Sequence, residues 1–231
     1  RYVFRFEHHL KFSMASQTEE NYLKALLHLV NEQGEISVTE LSKRLKISSP
    51  TANSMIKKLA LKGFVNYKKY KPLSLTPKGK KRAALIIRKH RLTEMFLVEK
   101  MNFGWEQVHP IAEQIEHVDS DLFFNRMDEI LGFPSVDPHG SPIPDKNGDI
   151  KWKSYDKLSD CKKGDTVVLS GLMNSSTDFL AYLNTKELSL GTEIIISSIE
   201  AFDKNMSVTY GVDKEEAFSK VVCDNLLVAK K

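Results

Sequence analysis

The spacing of apolar residues predicts two amphipathic helices near the start of the chain. In the segment 17–32 apolar positions recur at i, i+3, i+4 and i+7, and Gly34 would end the helix. The segment 38–46 repeats the pattern with Leu41 and Leu45 facing inward. The chain is therefore predicted to begin with two helices of different length.

A third helix is predicted from about Pro50 to Lys62. Ser49 is the expected N-cap, Pro50 suits the first helical position, and Gly63 would end the helix. Short helices joined by a tight turn form a helix-turn-helix. The alternating, aromatic and β-branched residues of 65–75 then predict a two-stranded hairpin. Together these elements predict a winged helix-turn-helix.

The remainder of the chain is predicted to change from helix to strand. Thr76 and Pro77 would cap a long helix that ends near Met101, and a helical pair covers 105–131. Four prolines and three glycines between 132 and 150 predict a linker. Runs of β-branched residues then predict a small five-stranded barrel with one helix at about 177–185. The predicted fold class is α+β.

Charge is distributed unevenly along the chain, although the net charge is only +4. From Leu41 to Arg91 there are 16 lysines and arginines and no acidic residue, whereas from Glu94 to Asp149 there are 12 acidic and 3 basic residues. A basic run is often only a solvated surface, but a foldable segment without counter-charge favours contact with phosphates. The charge pattern therefore predicts that the winged unit binds double-stranded DNA.

Within a helix-turn-helix, the N-terminal residues of the second helix reach the base edges of the major groove. The candidate base-reading residues are Ser48, Pro50, Thr51, Asn53 and Ser54. Lysines on this helix and on the hairpin are expected to contact phosphates without sequence preference. They are Lys57, Lys58, Lys68, Lys69 and Lys71.

Histidine and glutamate recur on the helices that follow. His90 and Glu94 are four residues apart, and the next helix carries a second stripe of His109, Glu113, Glu116 and His117. Such pairs are more often a solvated helix face than a metal site. Two stripes set in apolar sequence would face one another, however, and buried charges of this kind would need a cation. Imidazole and carboxylate ligands without thiolate suit Mn(II) or Fe(II), and Zn(II) could also bind.

Other classes of protein are disfavoured by the composition. The two cysteines, Cys161 and Cys223, form no CxxC pair and suggest neither a disulfide framework nor a thiolate zinc site. No apolar run approaches the roughly 20 residues that cross a bilayer, and no signal peptide is evident, so we expect a cytoplasmic protein without a membrane partner. No nucleophile motif, Gly-rich phosphate loop or HExxH is present, so we do not expect an enzyme.

Three sequence motifs resemble the diphtheria toxin repressor family of metal-dependent regulators, which includes the manganese transport regulators. They are TEENYLKAL near the N-terminus, RKHRLTE at 88–94 and VHPIAEQIEHV at 108–118. The resemblance spans about 18–131, and the β-rich end is similar to the SH3-like domain of the longer members. It implies an N-terminal extension at 1–13, a winged helix-turn-helix at 14–77, a helical dimerisation and metal-binding domain at 78–150, and an SH3-like domain, a small β-barrel, at 151–231.

The resemblance also implies two metal sites. The primary site would use Glu113, Glu116, His117 and Asn21, and the ancillary site His90, Glu94 and His109. Manganese-type members resemble this chain in having glutamate at the position of Glu113, which favours Mn(II). The chain departs from the family at Asn21, where the family has methionine or aspartate, and in the SH3-like region, where Ser176 and Phe179 replace ligands and Asp178 is the remaining candidate.

The function implied by the resemblance is repression of metal-ion uptake genes. A homodimer loaded with Mn(II) or Fe(II) would bind a palindromic operator, with Trp105, Leu122, Phe123 and Met127 as candidate dimer contacts. Two alternatives remain open from the residues alone. One is a winged-helix regulator controlled by a non-metal effector, and the other is a metalloenzyme that uses the same side chains around a metal-bound water.

Overall fold

A computed structural model describes residues 16–33, 36–69 and 71–231 of the chain. The predicted extension at 1–13 lies outside the described residues. The chain divides into two compact units, with the boundary between Ala83 and Ala84. No helix in the described ranges is both long and apolar enough to cross a lipid bilayer.

The N-terminal unit contains the predicted winged helix-turn-helix. Its elements are α1 (Gln17–Gln33), α2 (Val38–Arg44), α3 (Ser49–Leu61), β1 (Val65–Asn66), β2 (Ser74–Leu75) and the first turns of α4 (Pro77–Met101). The predicted apolar positions are buried, among them Leu23, Leu26, Leu41, Ile56 and Leu59. The wing strands pair antiparallel, with Val65 opposite Leu75 and Asn66 opposite Ser74. The helical periodicity therefore identified the core of this unit.

Local hydrogen bonds set where these helices begin. Ser37 and Glu40 form a capping box at the start of α2, and the Thr76 hydroxyl accepts a bond from the Gly79 amide at 3.0 Å at the start of α4. The predicted N-cap of α3 is wrong by one residue. Ser48, with extended backbone, accepts from the Thr51 amide, so Ser49 is already the first helical residue and Pro50 follows it.

The second unit begins with the remaining turns of α4, followed by α5 (His109–Ile115) and α6 (Asp121–Ile130). Leu92 of α4, Phe124 and Met127 of α6, and Ile143 form a buried apolar cluster. Met127 therefore faces the core of its own unit, and its expected place in a dimer interface is wrong.

The proline-rich segment 132–150 contains no regular helix or strand, as predicted, but it is not a free linker. The Arg88 guanidinium of α4 donates to the Pro144 carbonyl at 2.8 Å, and Arg91 donates to the Pro142 carbonyl. Both arginines are buried. The segment is therefore fastened along α4, because the buried guanidinium groups need these acceptors.

The chain ends in a six-stranded antiparallel sheet instead of the five strands predicted. The strands are β3 (Asp156–Lys157), β4 (Thr166–Leu172), β5 (Glu193–Ile199), β6 (Met206–Tyr210), β7 (Lys214–Phe218) and β8 (Leu226–Lys230). Their order is β3-β8-β4-β5-β6-β7. The predicted helix α7 spans Thr177–Thr185, and a second helix, α8 (Lys220–Asn225), occupies what was expected to be the start of the last strand.

Candidate functional site

The N-terminal end of α3 presents the predicted base-reading residues on the surface. Ser48, Pro50, Thr51 and Ser54 are exposed. The Ser54 hydroxyl donates to the Pro50 carbonyl at 3.0 Å, which leaves its oxygen free to accept a further bond. The structure therefore brings these four residues together on one exposed surface.

Asn53 lies beside them and is oriented by a contact with the wing. The Tyr67 hydroxyl donates to Asn53 Oδ1 at 2.9 Å. This bond fixes the orientation of the amide group, whose NH₂ group can donate to a ligand.

The five predicted phosphate-binding lysines, Lys57, Lys58, Lys68, Lys69 and Lys71, are all exposed. Lys58 differs from Lys57 because its ammonium group lies 3.0 Å from Glu19 Oε1 on α1. Burial by itself would raise the pKa of the Glu19 carboxyl, but the hydrogen bond from Lys62 and the nearby ammonium group of Lys58 hold it below its usual value. Glu19 is therefore a buried, ionised carboxylate within the basic unit.

The second predicted constellation is assembled in the C-terminal unit. One turn of α4 separates His90 from Glu94, and both are buried, while His109 at the start of α5 is half exposed. His90 Nε2 lies 3.0 Å from Glu94 Oε1 and 3.1 Å from His109 Nδ1, and His109 Nδ1 lies 3.1 Å from Glu94 Oε1. Ligands at right angles, about 2.1 Å from a cation, are about 3.0 Å apart, so the spacing fits a bound metal ion.

The protonation of His90 is constrained from its other side. His90 Nδ1 lies 2.6 Å from Glu116 Oε2, and a carboxylate oxygen can only accept, so Nδ1 carries the proton. In a neutral imidazole, Nε2 then presents a lone pair to Glu94. Lone pairs that face one another in a buried site need a cation between them.

A second cluster shares Glu94 and was not predicted. It joins Glu94 to Asp137 and His139, all three of which are buried. His139 Nε2 donates to the Trp105 carbonyl at 2.9 Å, so in the neutral ring Nδ1 is unprotonated, and it lies 3.9 Å from Glu94 Oε2. A histidine that donates one N–H to a backbone carbonyl and turns its other nitrogen inward is typical of a metal ligand.

Gly140 fixes the path of this loop. Its φ of +86° is in the left-handed region, and a Cβ there would lie 2.4 Å from the Ser170 carbonyl oxygen of β4. The adjacent His139 carbonyl accepts from the Leu172 amide at 3.0 Å. The loop can therefore carry His139 into the cluster only with a glycine at position 140.

The carboxyl groups of the two clusters differ in their electrostatics. Burial by itself would raise the pKa of Glu94, but when the neighbouring rings are protonated, hydrogen bonds from His109 and His90 and the charge on His90 hold it well below its usual range. Burial raises the pKa of Asp137, although the Arg91 guanidinium, 3.4 Å away, opposes the rise. Glu94 is therefore the carboxylate best prepared to bind a cation.

The predicted primary-site residues are distributed around these clusters. Glu116 is fully buried against His90, with His117 Nε2 3.6 Å from its other oxygen. Glu113 is exposed and lies 3.5 Å from His109 Nε2. Although α5 ends at Ile115, Glu116 is its C-cap, with helical backbone angles and an amide that donates to the Ala112 carbonyl at 2.9 Å, so it still follows the helical spacing of the predicted stripe.

Two further candidates have exposed side chains. Asn21 is exposed on α1 in the N-terminal unit. Asp178 is exposed in the first turn of α7, and no potential metal cluster among the described residues includes it.

Comparisons with known proteins agree with this arrangement. A family model for the N-terminal DNA-binding domain of iron-dependent repressors matches residues 14–73, and one for their metal-binding and dimerisation domain matches residues 76–145. The chain is 34% identical to the iron-dependent repressor IdeR of Mycobacterium leprae over 127 residues, which is 55% of each chain. It thus matches about half the length of the first curated relatives.

Other relatives extend the similarity into the C-terminal sheet. The diphtheria toxin repressor of Corynebacterium efficiens is 28% identical over 190 residues, covering 78% of this chain and 82% of that protein. A manganese-dependent transcriptional repressor in complex with manganese superposes with a TM-score of 0.81 at 30% identity, covering 92% of this chain and all of that one. ScaR with bound Zn²⁺ superposes with a TM-score of 0.74 at 29% identity, covering 92% of this chain and 99% of that one.

The exposed basic helix α3 thus lies in the segment that matches a DNA-binding domain, and the cluster around Glu94 lies in the segment that matches a metal-binding and dimerisation domain. The chain belongs to the iron-dependent repressor family of metal-dependent transcriptional repressors.

Proposed function

We propose that this protein is a cytoplasmic repressor that binds a palindromic operator as a homodimer when loaded with metal, and so controls genes for metal-ion uptake. The observation that carries the proposal is the buried cluster around Glu94. The Glu94 carboxylate and three imidazole nitrogens, from His90, His109 and His139, converge there without a lysine or arginine among them. A divalent cation would complete the site, and loading would depend on metal supply.

We propose Mn(II) as the activating ion, with Fe(II) as the second candidate and Zn(II) as an ion that binds in vitro. Hard carboxylate oxygens with imidazole and no thiolate suit Mn(II) and Fe(II), and both cysteines lie in the C-terminal sheet region. The solved manganese-dependent repressor contains manganese, which supports this choice. The metal would supply positive charge that draws these side chains together.

The proposed ligands comprise the predicted residues and the two that the loop contributes. The predicted ones are His90, Glu94, His109, Glu113, Glu116, His117 and Asn21. Asp137 and His139 complete a second position around the other oxygen of Glu94. Asp178 is left out because it is exposed outside both clusters.

The DNA-binding surface is proposed to be the exposed end of α3 and the wing. Ser48, Pro50, Thr51, Asn53 and Ser54 would contact base edges, and Lys57, Lys68, Lys69 and Lys71 would contact phosphates. We propose the same division of the chain as the sequence suggested, with the DNA-binding domain at 14–77, the metal and dimer domain at 78–150 and the sheet domain at 151–231.

A dimer would position two copies of α3 about 34 Å apart, one turn of DNA. Leu122, Phe123 and Ile130 are exposed apolar side chains on α6 and supply a surface for this contact. Trp105 is less suitable because its indole N–H already donates to Asn184 at 2.7 Å.

The test is to select binding sequences from a random duplex pool and titrate binding with Mn(II), Fe(II) and Zn(II) in parallel. Metal should raise the DNA affinity, and Glu116→Ala or His117→Ala should abolish the rise while the fold, followed by circular dichroism, is retained. Equal binding by the metal-free wild type and both variants would contradict the proposal. No metal uptake in equilibrium dialysis would favour a non-metal effector instead.

A further inference from the structure

Two of the lysines at the C-terminal end of α3 are held by one buried carboxylate. Lys58 Nζ lies 3.0 Å from Glu19 Oε1, and Lys62 Nζ lies 2.8 Å from Glu19 Oε2. Glu19 is 0% exposed, whereas the Lys58 and Lys62 side chains are 54% and 25% exposed. Lys62 therefore hydrogen-bonds one carboxylate oxygen of Glu19, and Lys58 forms an ion pair with the other, which accepts no hydrogen bond within the described residues.

Lys57 occupies the same helix but has a different environment. It is exposed, and it forms no ion pair with any residue in the described part of the chain. Three lysines within six residues of sequence thus divide into one that is free to meet a phosphate and two that neutralise an interior charge.

A phosphate could take the ammonium groups from Glu19 only at a cost. The carboxylate would remain in the interior without its counter-charge, which is strongly unfavourable, whereas Lys57 has no such partner to lose. The backbone amide of Ser16 also donates to Glu19 Oε2, at 2.9 Å, and fixes the carboxylate at the start of α1.

We propose that Glu19 is a positioning residue that holds Lys58 and Lys62 away from the DNA phosphates. It confines contact to the N-terminal end of α3, Lys57 and the wing. The inference rests on the proposed DNA-binding function, and it reassigns Lys58, which the sequence placed among the phosphate contacts. Glu19 thereby sets how much of the basic segment acts as a DNA surface.

The test is the salt dependence of binding to a random 30-base-pair duplex, with the 231-residue chain in saturating Mn(II). Each phosphate contact contributes about 0.9 to the slope of log K against log salt concentration. Lys57→Ala should therefore make the slope shallower by about 0.9. Lys58→Ala and Lys62→Ala should leave it unchanged, and each single variant keeps one ammonium partner for Glu19.

Glu19→Gln provides the converse measurement, because both ammonium groups are released when the carboxylate is neutralised. The slope should become steeper by up to about 1.8, the value for two contacts. This variant is compared only after its thermal unfolding shows that it is folded, and the lysine variants decide the question if it is not.

Two results would overturn the inference alone. One is a loss of slope in Lys58→Ala or Lys62→Ala equal to that in Lys57→Ala, and the other is an unchanged slope in folded Glu19→Gln. The absence of salt-dependent DNA binding by the wild type would instead overturn the proposed DNA surface, and the inference with it.

Discussion

Both units of this protein bury glutamates, and the charges of two of them, Glu19 and Glu94, are compensated in different ways. Glu19 in the winged unit is held by the ammonium groups of Lys58 and Lys62. Among the residues that the structure describes, the cationic or titratable partners of Glu94 within 4.0 Å in the second unit are the imidazole rings of His90, His109 and His139. The difference lies in the chemistry of the partners.

A lysine ammonium group is charged throughout the physiological pH range, so the charge of Glu19 is compensated without a ligand. An imidazole is close to its titration range at neutral pH and offers a lone pair as readily as a charge. Under the proposed function, a metal ion would complete the site at Glu94. The negative charge of Glu19 is compensated by permanent lysine charges, whereas compensation of the negative charge of Glu94 would depend on the metal supply.

The largest effect is expected for a substitution of Glu94, the residue that the two clusters share. Glu94→Gln keeps the shape of the side chain but removes the charge that both clusters share. Mn(II) affinity, measured by equilibrium dialysis, should fall by about 100-fold or more, since even the loss of a residue that only supports a ligand costs about 10 to 100-fold. Asp178→Asn, an exposed carboxylate outside the clusters, should retain wild-type affinity. Similar losses in both variants would contradict the assignment.

A smaller effect, on stability, is expected when the ion pairs between Glu19 and the two lysines are removed. Glu19→Gln leaves two partly solvated lysines without their partner and should reduce the free energy of unfolding by about 2 kcal/mol. Urea unfolding at pH 7 measures this change. Glu129→Gln, an exposed residue paired with Arg126 on α6, should change stability by less than about 0.5 kcal/mol.

The pH dependence of the same variant has a definite sign. The pKa of Glu19 is lower in the folded protein than its ordinary value of 4.5, so its stabilisation is present above that pH and is lost as the pH falls through the folded value. The stability difference between wild type and Glu19→Gln should therefore narrow as the pH is lowered from 7 towards 3. A difference that stays constant would show that the carboxylate charge is not responsible.

The smallest effect is expected for the reactivity of the two buried cysteines, whose thiols remain neutral. Burial raises the pKa of the Cys223 thiol to about 12 and also raises the pKa of Cys161. Since the thiolate is the reactive form, neither cysteine should react measurably with a thiol reagent at pH 8 in the folded protein, and both should react in denaturant. Rapid labelling of either one under native conditions would contradict this description of the C-terminal core.

The parts of the fold that the sequence could predict are those in which apolar residues recur at a regular spacing. The helical positions of Leu23, Leu41 and Ile56 fixed the winged unit because one face of each helix had to be buried. The strand β7 escaped notice because its sequence, KEEAF, is mostly polar, which suits its position at the edge of the sheet. The helix α8 was hidden within a run of apolar and β-branched residues typical of strands.

The proposed metal site, too, could be predicted only where its residues have helical spacing. His90, Glu94 and His109 could be grouped because helical spacing places side chains predictably. Asp137 and His139 lie in an irregular segment, where sequence distance says nothing about spatial distance. The only signal was an aspartate and a histidine two residues apart, directly before Gly140, and only the packed loop brings them to Glu94.

We propose that metal binding and DNA binding are coupled in this protein, and coupling between two ligands is reciprocal. The most direct measurement is the Mn(II) affinity of the wild-type protein with and without a selected duplex. We predict that the duplex tightens Mn(II) binding by the same factor by which Mn(II) tightens DNA binding. An Mn(II) affinity that is equal in the presence and absence of the duplex would contradict the account.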